Sequence, residues 1–275
     1  MMNTITETAY AKINLTLGVR AKRPDGYHEL DSLMQTVSLA DTVTVSPARE
    51  IKVLSSGMVL PYNNTLRKAA ALYESFTGRG ADIRVVKRIP AEAGLGGGSA
   101  DAAAVLRALD RIYGETDRAT LDEIAVRVGA DVPFCMQGGL CRAEGIGEIL
   151  TPLKGMTLDI VIAKPDRGVS TGALFRALTL PREMPDTAAA MKAVQQNDIE
   201  ALGALLVNAL EAPAVALVPE IGHLIERLKA LGAAGARMTG SGSAVFGLFR
   251  SKEEAERAAE TIRSENFFAE ACEAV

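Results

Sequence analysis

The sequence predicts an α+β protein of two lobes sharing a central cleft. Three observations carry that expectation: strand-like alternation through the first 60 residues, helical periodicity through much of the second half, and a glycine-dense junction at 90–103. With 275 residues the chain can form one large domain or two small lobes around a sizeable core. The lobes are expected to divide near residue 155, into 1–155 and 156–275.

ITETAYAKINLTLGV alternates apolar and polar residues, and DTVTVSPA and IKVLSS are shorter β-type runs. RPDGYHE between them carries Pro24, Asp25 and Gly26, a turn signal. A first helix starts near Asn64 on a stripe of Leu66, Ala69, Ala70, Tyr73 and Phe76, and Gly78 and Gly80 end it. ADIRVVKRIP reads as a strand feeding PAEAGLGGGSADAA, and the next helix turns Val105, Leu109 and Ile112 to one face. Thr120 and Glu123 have capping-box spacing ahead of Leu121, Ile124, Ala125 and Val128, and Gly129 stops that helix. Strand resumes after Gly138 and Gly139, and LDIVIAKP is a strand at 158–165. Four helical segments are expected at 170–179, 185–196, 198–211 and 217–231. The last places Ile221, Leu224, Ile225, Leu228 and Leu231 on one face and leaves His223 in solvent. ARMTGSGSAVFGLF reads as strand, glycine turn, strand, and Ser251 with Glu254 caps a final helix holding Ala255, Ala258, Ala259 and Ile262.

Bulk properties narrow the partners. A net charge of −4 supplies no global basic field for nucleic acid, so a phosphate-rich ligand must be held by local groups. No apolar run of 18 residues predicts a membrane span, and MMNTITETAY lacks the basic and apolar regions of a signal peptide. Cys135, Cys141 and Cys272 form no CxxC pair and have only His28 and His223 to join them, which argues against a disulfide framework and a zinc site. A cytoplasmic protein with reduced thiols is expected.

The stretch PAEAGLGGGSADAA places Gly94, Gly96, Gly97 and Gly98 within five positions just before a helix. Glycine is used where the backbone needs positive φ or close approach, and a helix N-terminus offers N–H groups and a positive dipole end to a phosphate. A flexible turn is the plainer alternative. The pattern GxxxxGK[ST] is absent, as are the protein-kinase motifs HRD and DFG. The dinucleotide pattern GxGxxG is half met, but its third glycine is Ser99 and no βαβ unit precedes it.

Three segments together resemble the motifs of the GHMP small-molecule kinases, in the same order: AYAKINLTLGV, PAEAGLGGGSADAA and MTGSGSAVFGLF. They run from residue 9 to 249 and so cover nearly the whole chain. Thr239 and Ser243-Ala244 depart from the common third motif but keep its small side chains. KRPDGYHELDSLMQTVSL, GADVPFCMQGG and VSTGALF narrow the likeness to the branch that phosphorylates a CDP-linked methylerythritol in non-mevalonate isoprenoid synthesis. The resemblance implies the GHMP-kinase fold, ATP as co-substrate with Mg²⁺, and no nucleic-acid, membrane or protein partner. It assigns no magnesium ligand to a position here.

The resemblance also implies roles. The loop from Pro90 through Ala91, Glu92, Ala93, Gly94, Leu95, Gly96, Gly97, Gly98, Ser99 and Ala100 would wrap the ATP phosphates. Ser99 equally suits a helix N-cap. Asp131, by itself a loop aspartate, matches the catalytic aspartate, and Lys12, by itself a solvent-facing strand residue, matches its lysine partner. Asn14 shares a strand face with Lys12 and matches a substrate-binding position. Tyr27, His28, Thr171 and Phe175 would bind the substrate, with the cytidine at Tyr27 and His28; otherwise Tyr27 and His28 are surface residues and Phe175 a core one. Asn64 would contact adenine, and Gly240, Ser241 and Gly242 form the third glycine motif. Two rivals stand beside this reading: a GHMP kinase for another small alcohol, and a GHMP-fold binding protein without catalysis.

Overall fold

The computed structural model describes residues 3–172, 174 and 184–275. Among these the chain forms, in order, β1 (Ile5–Lys22), β2 (His28–Ala48), β3 (Lys52–Ser56), α1 (Thr65–Thr77), β4 (Gly80–Val86), α2 (Gly97–Tyr113), α3 (Arg118–Val128), α4 (Val132–Gln137), β5 (Leu140–Gly145), β6 (Ile149–Leu153) and β7 (Asp159–Lys164). There follow α5 (Thr187–Gln195), α6 (Ile199–Ala204), β8 (Val207–Asn208), α7 (Glu211–Leu217), α8 (Glu220–Ala230), β9 (Gly235–Met238), β10 (Val245–Phe249), α9 (Lys252–Ser264) and β11 (Phe268–Glu273). The expected mixture of helix and sheet is present. Two compact units form from interleaved segments. The first holds Met1–Ala11, Leu39–Pro90 and Gly96–Gly138, and the second holds Lys12–Ser38, Ala91–Leu95 and Gly139–Val275.

In the first unit, β4 lies antiparallel to the end of β2, from Thr42↔Val86 to Ala48↔Gly80, and β3 runs parallel to β4. Helix α1 begins where Asn64 Oδ1 accepts from Arg67 N (2.9 Å) and ends at Gly78, whose φ of 72° closes the C-terminus. Leu66, Ala69, Ala70 and Tyr73 are buried as their spacing predicts. Phe76, expected on the same stripe, is exposed and lies beneath the guanidinium of Arg127. Helix α2 buries Ala100 through Leu106 almost without interruption, because small alanines let neighbours approach on several faces. Glu7 on β1 ties down its outer side by pairing with Arg107 and Arg111.

The N-cap of α3 is Asp117, which accepts from Thr120 N at 2.8 Å. The expected capping box at Thr120 and Glu123 is therefore displaced: the helix starts earlier, and an aspartate at the start makes the capping bond. Sequence reading also passed over α4. Pro133 sits in its first turn, where a missing N–H costs nothing, so the GADVPF loop continues directly into helix.

In the second unit, a four-stranded antiparallel sheet has the order β11–β7–β10–β9. Helices α8 and α9 cover it, burying Leu224, Leu228 and Ile262 with Val161, Val245 and Phe249. The α8 stripe is the one expected, and His223 is exposed. Ser251 Oγ accepts from Glu254 N (3.3 Å) at the start of α9, as predicted. The start of β2 pairs with β5 from Leu30↔Gly145 to Gln35↔Leu140, and β5 pairs with β6.

The helices expected at 198–211 and 217–231 are divided differently. Val207 and Asn208 pair in parallel with Thr16 and Leu17, which interrupts the first, and α8 starts only after Pro219. Segment 185–196 is helical over Thr187–Gln195. Of the helix expected at 170–179, residues 173 and 175–179 lie outside the described residues. Strand β11 had no distinct signal in FAEACE, and it forms by adding to the edge of β7.

Gly203 on α6 and Gly235 on β9 meet backbone to backbone: a Cβ on Gly203 would stand 2.4 Å from the Ala234 carbonyl oxygen. Gly203→Ala is expected to lower the unfolding free energy by about 1–3 kcal/mol through overpacking. A urea titration checks this as a lower midpoint at constant slope; an unchanged midpoint refutes it.

Candidate active site

Three stretches of the second unit interlock. Lys12 N on β1 donates to Leu95 O at 3.0 Å, while Ser243 N and Ala244 N donate to Glu92 O and Ala93 O, each at 3.1 Å. The loop at 91–95 is thus held by β1 on one side and by the turn between β9 and β10 on the other. Gly94 has φ 71°, and a Cβ there would stand 2.2 Å from Thr239 O. Glycine is required at this point by approach to protein backbone.

Lys12 is buried and donates from Nζ to Asn14 Oδ1 at 2.7 Å. Asn14 Nδ2 donates to Ser32 Oγ (2.8 Å), Ser32 Oγ donates to Thr16 O (2.6 Å), and Asn14 N donates to Thr239 Oγ1 (3.0 Å). The two-residue spacing on β1 does place Lys12 and Asn14 on one face. A Cβ on Gly240 would lie 3.1 Å from Lys12 Nζ, so the ammonium sits directly against the third glycine motif. In the same motif Ser241 Oγ and Thr171 Oγ1 share a hydrogen bond of 2.7 Å.

Asn208 was missed by sequence reasoning. Its Nδ2 donates to Met238 O (2.7 Å) and Gly240 O (2.9 Å), while its Oδ1 accepts from Leu210 N (2.9 Å). It holds the third motif from below. The available signal was an asparagine inside the run read as one helix, since asparagine favours local backbone bonds over helix.

Tyr27 is exposed on a turn made by Asp25 Oδ1 accepting from Tyr27 N (3.0 Å) and by Gly26 at φ 88°. Burial first, then the Lys22 charge, holds His28 below the ordinary imidazole value. That favours the neutral ring, which can both donate and accept. Phe175 lies outside the described residues.

In the first unit, α2 has Gly96 as its N-cap, at φ 69°. Ser99 is therefore the third helical residue and not the cap that sequence reading allowed. The first helical bond runs from Ala100 N to Gly96 O (2.8 Å), so the N–H groups of Gly97, Gly98 and Ser99 precede it and point out of the helix end. A Cβ on Gly97 would meet Ile89 Cγ2 at 3.0 Å, and one on Gly98 would meet Thr65 Oγ1 at 3.0 Å. These glycines press the helix start onto its neighbours. Thr65 Oγ1 also donates to Gly98 O (2.6 Å), setting the starts of α1 and α2 side by side.

Beside them lies a concavity of about 670 Å³ lined by Val53, Leu54, Met58, Tyr62, Asn64 and Arg67, among others. Arg67 stacks over the Tyr62 ring at 4.5 Å. Asn64 lines this concavity, but its side chain also caps α1 and donates to Pro61 O (2.8 Å). Asp131 occupies the N-cap position of α4. The same turn approaches the helix start of α2: a Cβ on Gly129 would lie 4.0 Å from Ser99 Oγ.

A helix end with three outward N–H groups, beside a concavity with apolar and aromatic walls, fits a nucleoside phosphate. Among the described residues, no group of three or more His, Cys, Asp or Glu is arranged to hold a metal ion. Mg²⁺ in phosphoryl-transfer sites is held mainly by phosphates, waters and one or two protein oxygens, so the Ser99 hydroxyl fits that role without such a cluster. No helix among the described residues is long and apolar enough to cross a membrane.

Residues 64–139 match the family described as GHMP kinases N terminal domain, and residues 190–267 match GHMP kinases C terminal. A relative from Caldicellulosiruptor saccharolyticus named 4-diphosphocytidyl-2-C-methyl-D-erythritol kinase is 42% identical over 265 residues, covering 93% of this chain and 91% of its own. A relative of the same name from Desulfitobacterium hafniense is 41% identical over 275 residues, covering 96% and 94%. A crystal structure of 4-(cytidine 5'-diphospho)-2C-methyl-D-erythritol kinase superposes with a TM-score of 0.85 at 38% identity, covering 98% of this chain and 99% of that one. A homoserine kinase from Cytophaga hutchinsonii shares the fold, with a TM-score of 0.77 at 20% identity over 100% and 95% of the two chains.

The packing separates two glycines that look alike in sequence. Gly94→Ala must push against backbone and is expected to cost about 2 kcal/mol or more, whereas Gly97→Ala meets side-chain atoms, of Ile89 and of Lys87, and costs less. Thermal unfolding of the two variants checks this; equal losses refute it.

Proposed function

The chain belongs to the 4-diphosphocytidyl-2-C-methyl-D-erythritol kinase family of GHMP kinases, and on that premise we propose how its residues serve the family reaction. The reaction is ATP-dependent phosphorylation of the 2-hydroxyl of 4-diphosphocytidyl-2-C-methyl-D-erythritol, giving the 2-phosphate and ADP in non-mevalonate isoprenoid precursor synthesis. The observation that carries the assignment is identity near 40% across more than nine-tenths of the chain.

Phosphoryl transfer asks the protein mainly for positioning and charge stabilisation. The outward N–H groups of Gly97, Gly98 and Ser99 hold phosphate oxygens, and the neighbouring loop from Pro90 to Gly96 shapes the approach. The Ser99 hydroxyl would hold a phosphate oxygen or Mg²⁺, which when bound would supply positive charge to offset that of the phosphates. The concavity at Asn64, Tyr62 and Arg67 receives adenine. Asp131 accepts the proton of the 2-hydroxyl, and Lys12 stabilises the charge that develops on transfer. The bond from Lys12 to Asn14 fixes the ammonium, and Asn14 orients the substrate. Tyr27 and His28 take the cytosine, with Thr171 and Phe175 completing the substrate side. Gly240, Ser241 and Gly242 form the wall against which Lys12 rests. An N-terminal kinase lobe at 1–155 and a C-terminal lobe at 156–275 remain the proposed division, with one family match on each side of it. The cysteine pattern supports a cytoplasmic enzyme, and the net charge of −4 supplies no global field for nucleic acid.

The test is direct. Protein, ATP, Mg²⁺ and the CDP-linked substrate are expected to produce a new phosphomonoester signal by ³¹P NMR, with none from homoserine or mevalonate; the reverse pattern overturns the assignment. Asp131→Asn is expected to lower kcat by about 10²-fold or more while leaving ATP affinity nearly unchanged. A kcat within about threefold of wild type removes Asp131 from the proposed role. The cytidine substrate is expected to exceed its uridine analogue by about tenfold or more in kcat/KM, and His28→Ala to erase most of that preference. Equal kcat/KM for the two bases in wild type sinks the pocket assignment.

A further inference from the structure

Strand β8 has only two residues, Val207 and Asn208, and it joins β1 to the third glycine motif. Its backbone belongs to β1: Val207 and Asn208 pair with Thr16 and Leu17, and Ala209 N donates to Leu17 O at 2.9 Å. Its Asn208 side chain belongs to the motif, with Nδ2 donating to Met238 O (2.7 Å) and Gly240 O (2.9 Å). One buried residue therefore spans from the strand that carries Lys12 to the turn against which the Lys12 ammonium rests.

The carboxamide suits this span. It has two donors on nitrogen and an acceptor on oxygen in one plane. Both donors meet carbonyls, and Oδ1 accepts from Leu210 N (2.9 Å), which fixes which end is nitrogen. Aspartate has the same shape but no donor, and alanine leaves both carbonyls short of one. Glu211 fastens the same stretch at an earlier point: its Oε2 accepts from Met238 N at 2.8 Å, and its hydrogen bond ends there.

Gly240 is where the span acts. Its φ is 55°, and a Cβ there would stand 2.6 Å from Gly94 O and 3.1 Å from Lys12 Nζ. Its Cα is thus wedged between the glycine loop and the ammonium, while its oxygen is held on Asn208. A trans peptide points its N–H opposite its C=O, so the same bond turns Ser241 N–H away from β8. Ser241 Oγ is fixed in turn by Thr171 Oγ1 at 2.7 Å. Without the two donors a glycine peptide rotates readily toward another partner, since no Cβ restrains it. The wall beside Lys12 then shifts.

We propose that Asn208 is a positioning residue for phosphoryl transfer: it sets the gap between β1 and Gly240 in which the Lys12 ammonium is held. The inference rests on the reading that Lys12 stabilises charge developing on transfer. Asn208 acts through Gly240 and touches no substrate. Stabilisation by a cation depends on where it stands relative to the developing charge, so a displaced ammonium lowers kcat. The helix end read as the phosphate site belongs to the first unit, so ATP binding is spared.

Kinetics and lysine labelling test this together. Asn208→Ala and the isosteric Asn208→Asp are expected to lower kcat by about tenfold or more, with KM for ATP within about twofold of wild type. Where Asn208→Ala does not fold, Asn208→Asp carries the same comparisons. Glu211→Ala loosens the same stretch at Met238, and is expected to lower the melting temperature while keeping kcat within about threefold. Acetic anhydride labelling read by mass spectrometry follows the ammonium without relying on activity. Lys12 is expected to label about threefold faster or more in the Asn208 variants, while buried Lys164 on β7 labels as in wild type. In a Lys12→Ala background, Asn208→Ala is expected to add less than about threefold further loss of kcat. Equal kcat losses in Glu211→Ala and Asn208→Ala, an equal rise in labelling at Lys164, or the full Asn208→Ala loss in the Lys12→Ala background shows general loosening and overturns the proposal. Wild-type kcat in the Asn208 variants does the same. A Lys12→Ala enzyme with kcat within about threefold of wild type overturns the reading of Lys12 together with this inference. Loss of kcat in Lys12→Ala, with Lys12 labelling unchanged in the Asn208 variants, overturns this inference alone.

Discussion

Gly94 can lie against the Thr239 carbonyl only because it has no Cβ, and the candidate site is built around that contact. With Gly94 seated, Glu92 O and Ala93 O meet Ser243 N and Ala244 N, and Leu95 O meets Lys12 N. Three segments far apart in sequence become one piece of backbone. Those bonds bring Lys12 Nζ up against Gly240 and set Asn14 beside Thr239. The lysine is then buried with its first partner, Asn14, already in position.

Burial of charge recurs as a theme, handled differently in each unit. In the second, Lys12 is oriented by a chain of neutral donors and acceptors from Asn14 through Ser32 to Thr16 O. Such a relay fixes the direction of the ammonium through groups on the same strand face and its neighbour. In the first unit, Lys87 meets two carboxylates, Asp41 and Asp101, which leaves the surplus charge on the acidic side. A buried ionic group of this kind is weak support for stability and more often orders its surroundings. Its position under Gly97 gives it something to order.

Much of the fold was legible in the sequence where one local rule dominated. The α1 and α8 stripes, the Ser251 cap and the strand ending in the glycine loop followed from periodicity and capping chemistry. The failures came where a distant partner outweighed the local rule. Val207 and Asn208 leave helix because β1 offers them a pairing edge and the third motif takes the Asn208 side chain. Strand β11 exists because the edge of β7 needed a partner, and Phe76 left its stripe for a guanidinium on α3. At the site, Lys12 and Asn14 on one strand face were legible, since a two-residue period is local. Asn208 and the Lys87 cluster were not, since each joins elements whose meeting no spacing records.

The sequence by itself determined the alternation of β1, the amphipathic helices, the glycine-rich helix start and the order of three motifs that identified the family. All of these are carried by neighbours along the chain, where dihedral preference and side-chain period act directly. Tertiary structure decided what each glycine is for. Gly94 faces a carbonyl, Gly97 faces Ile89 and Gly98 faces Thr65, although the sequence presents them as one run. It also decided which charges are buried together and which oxygen among them lacks a donor. The physical reason is the same in both cases: steric contact and desolvation depend on distance in space, and only the folded backbone sets that distance.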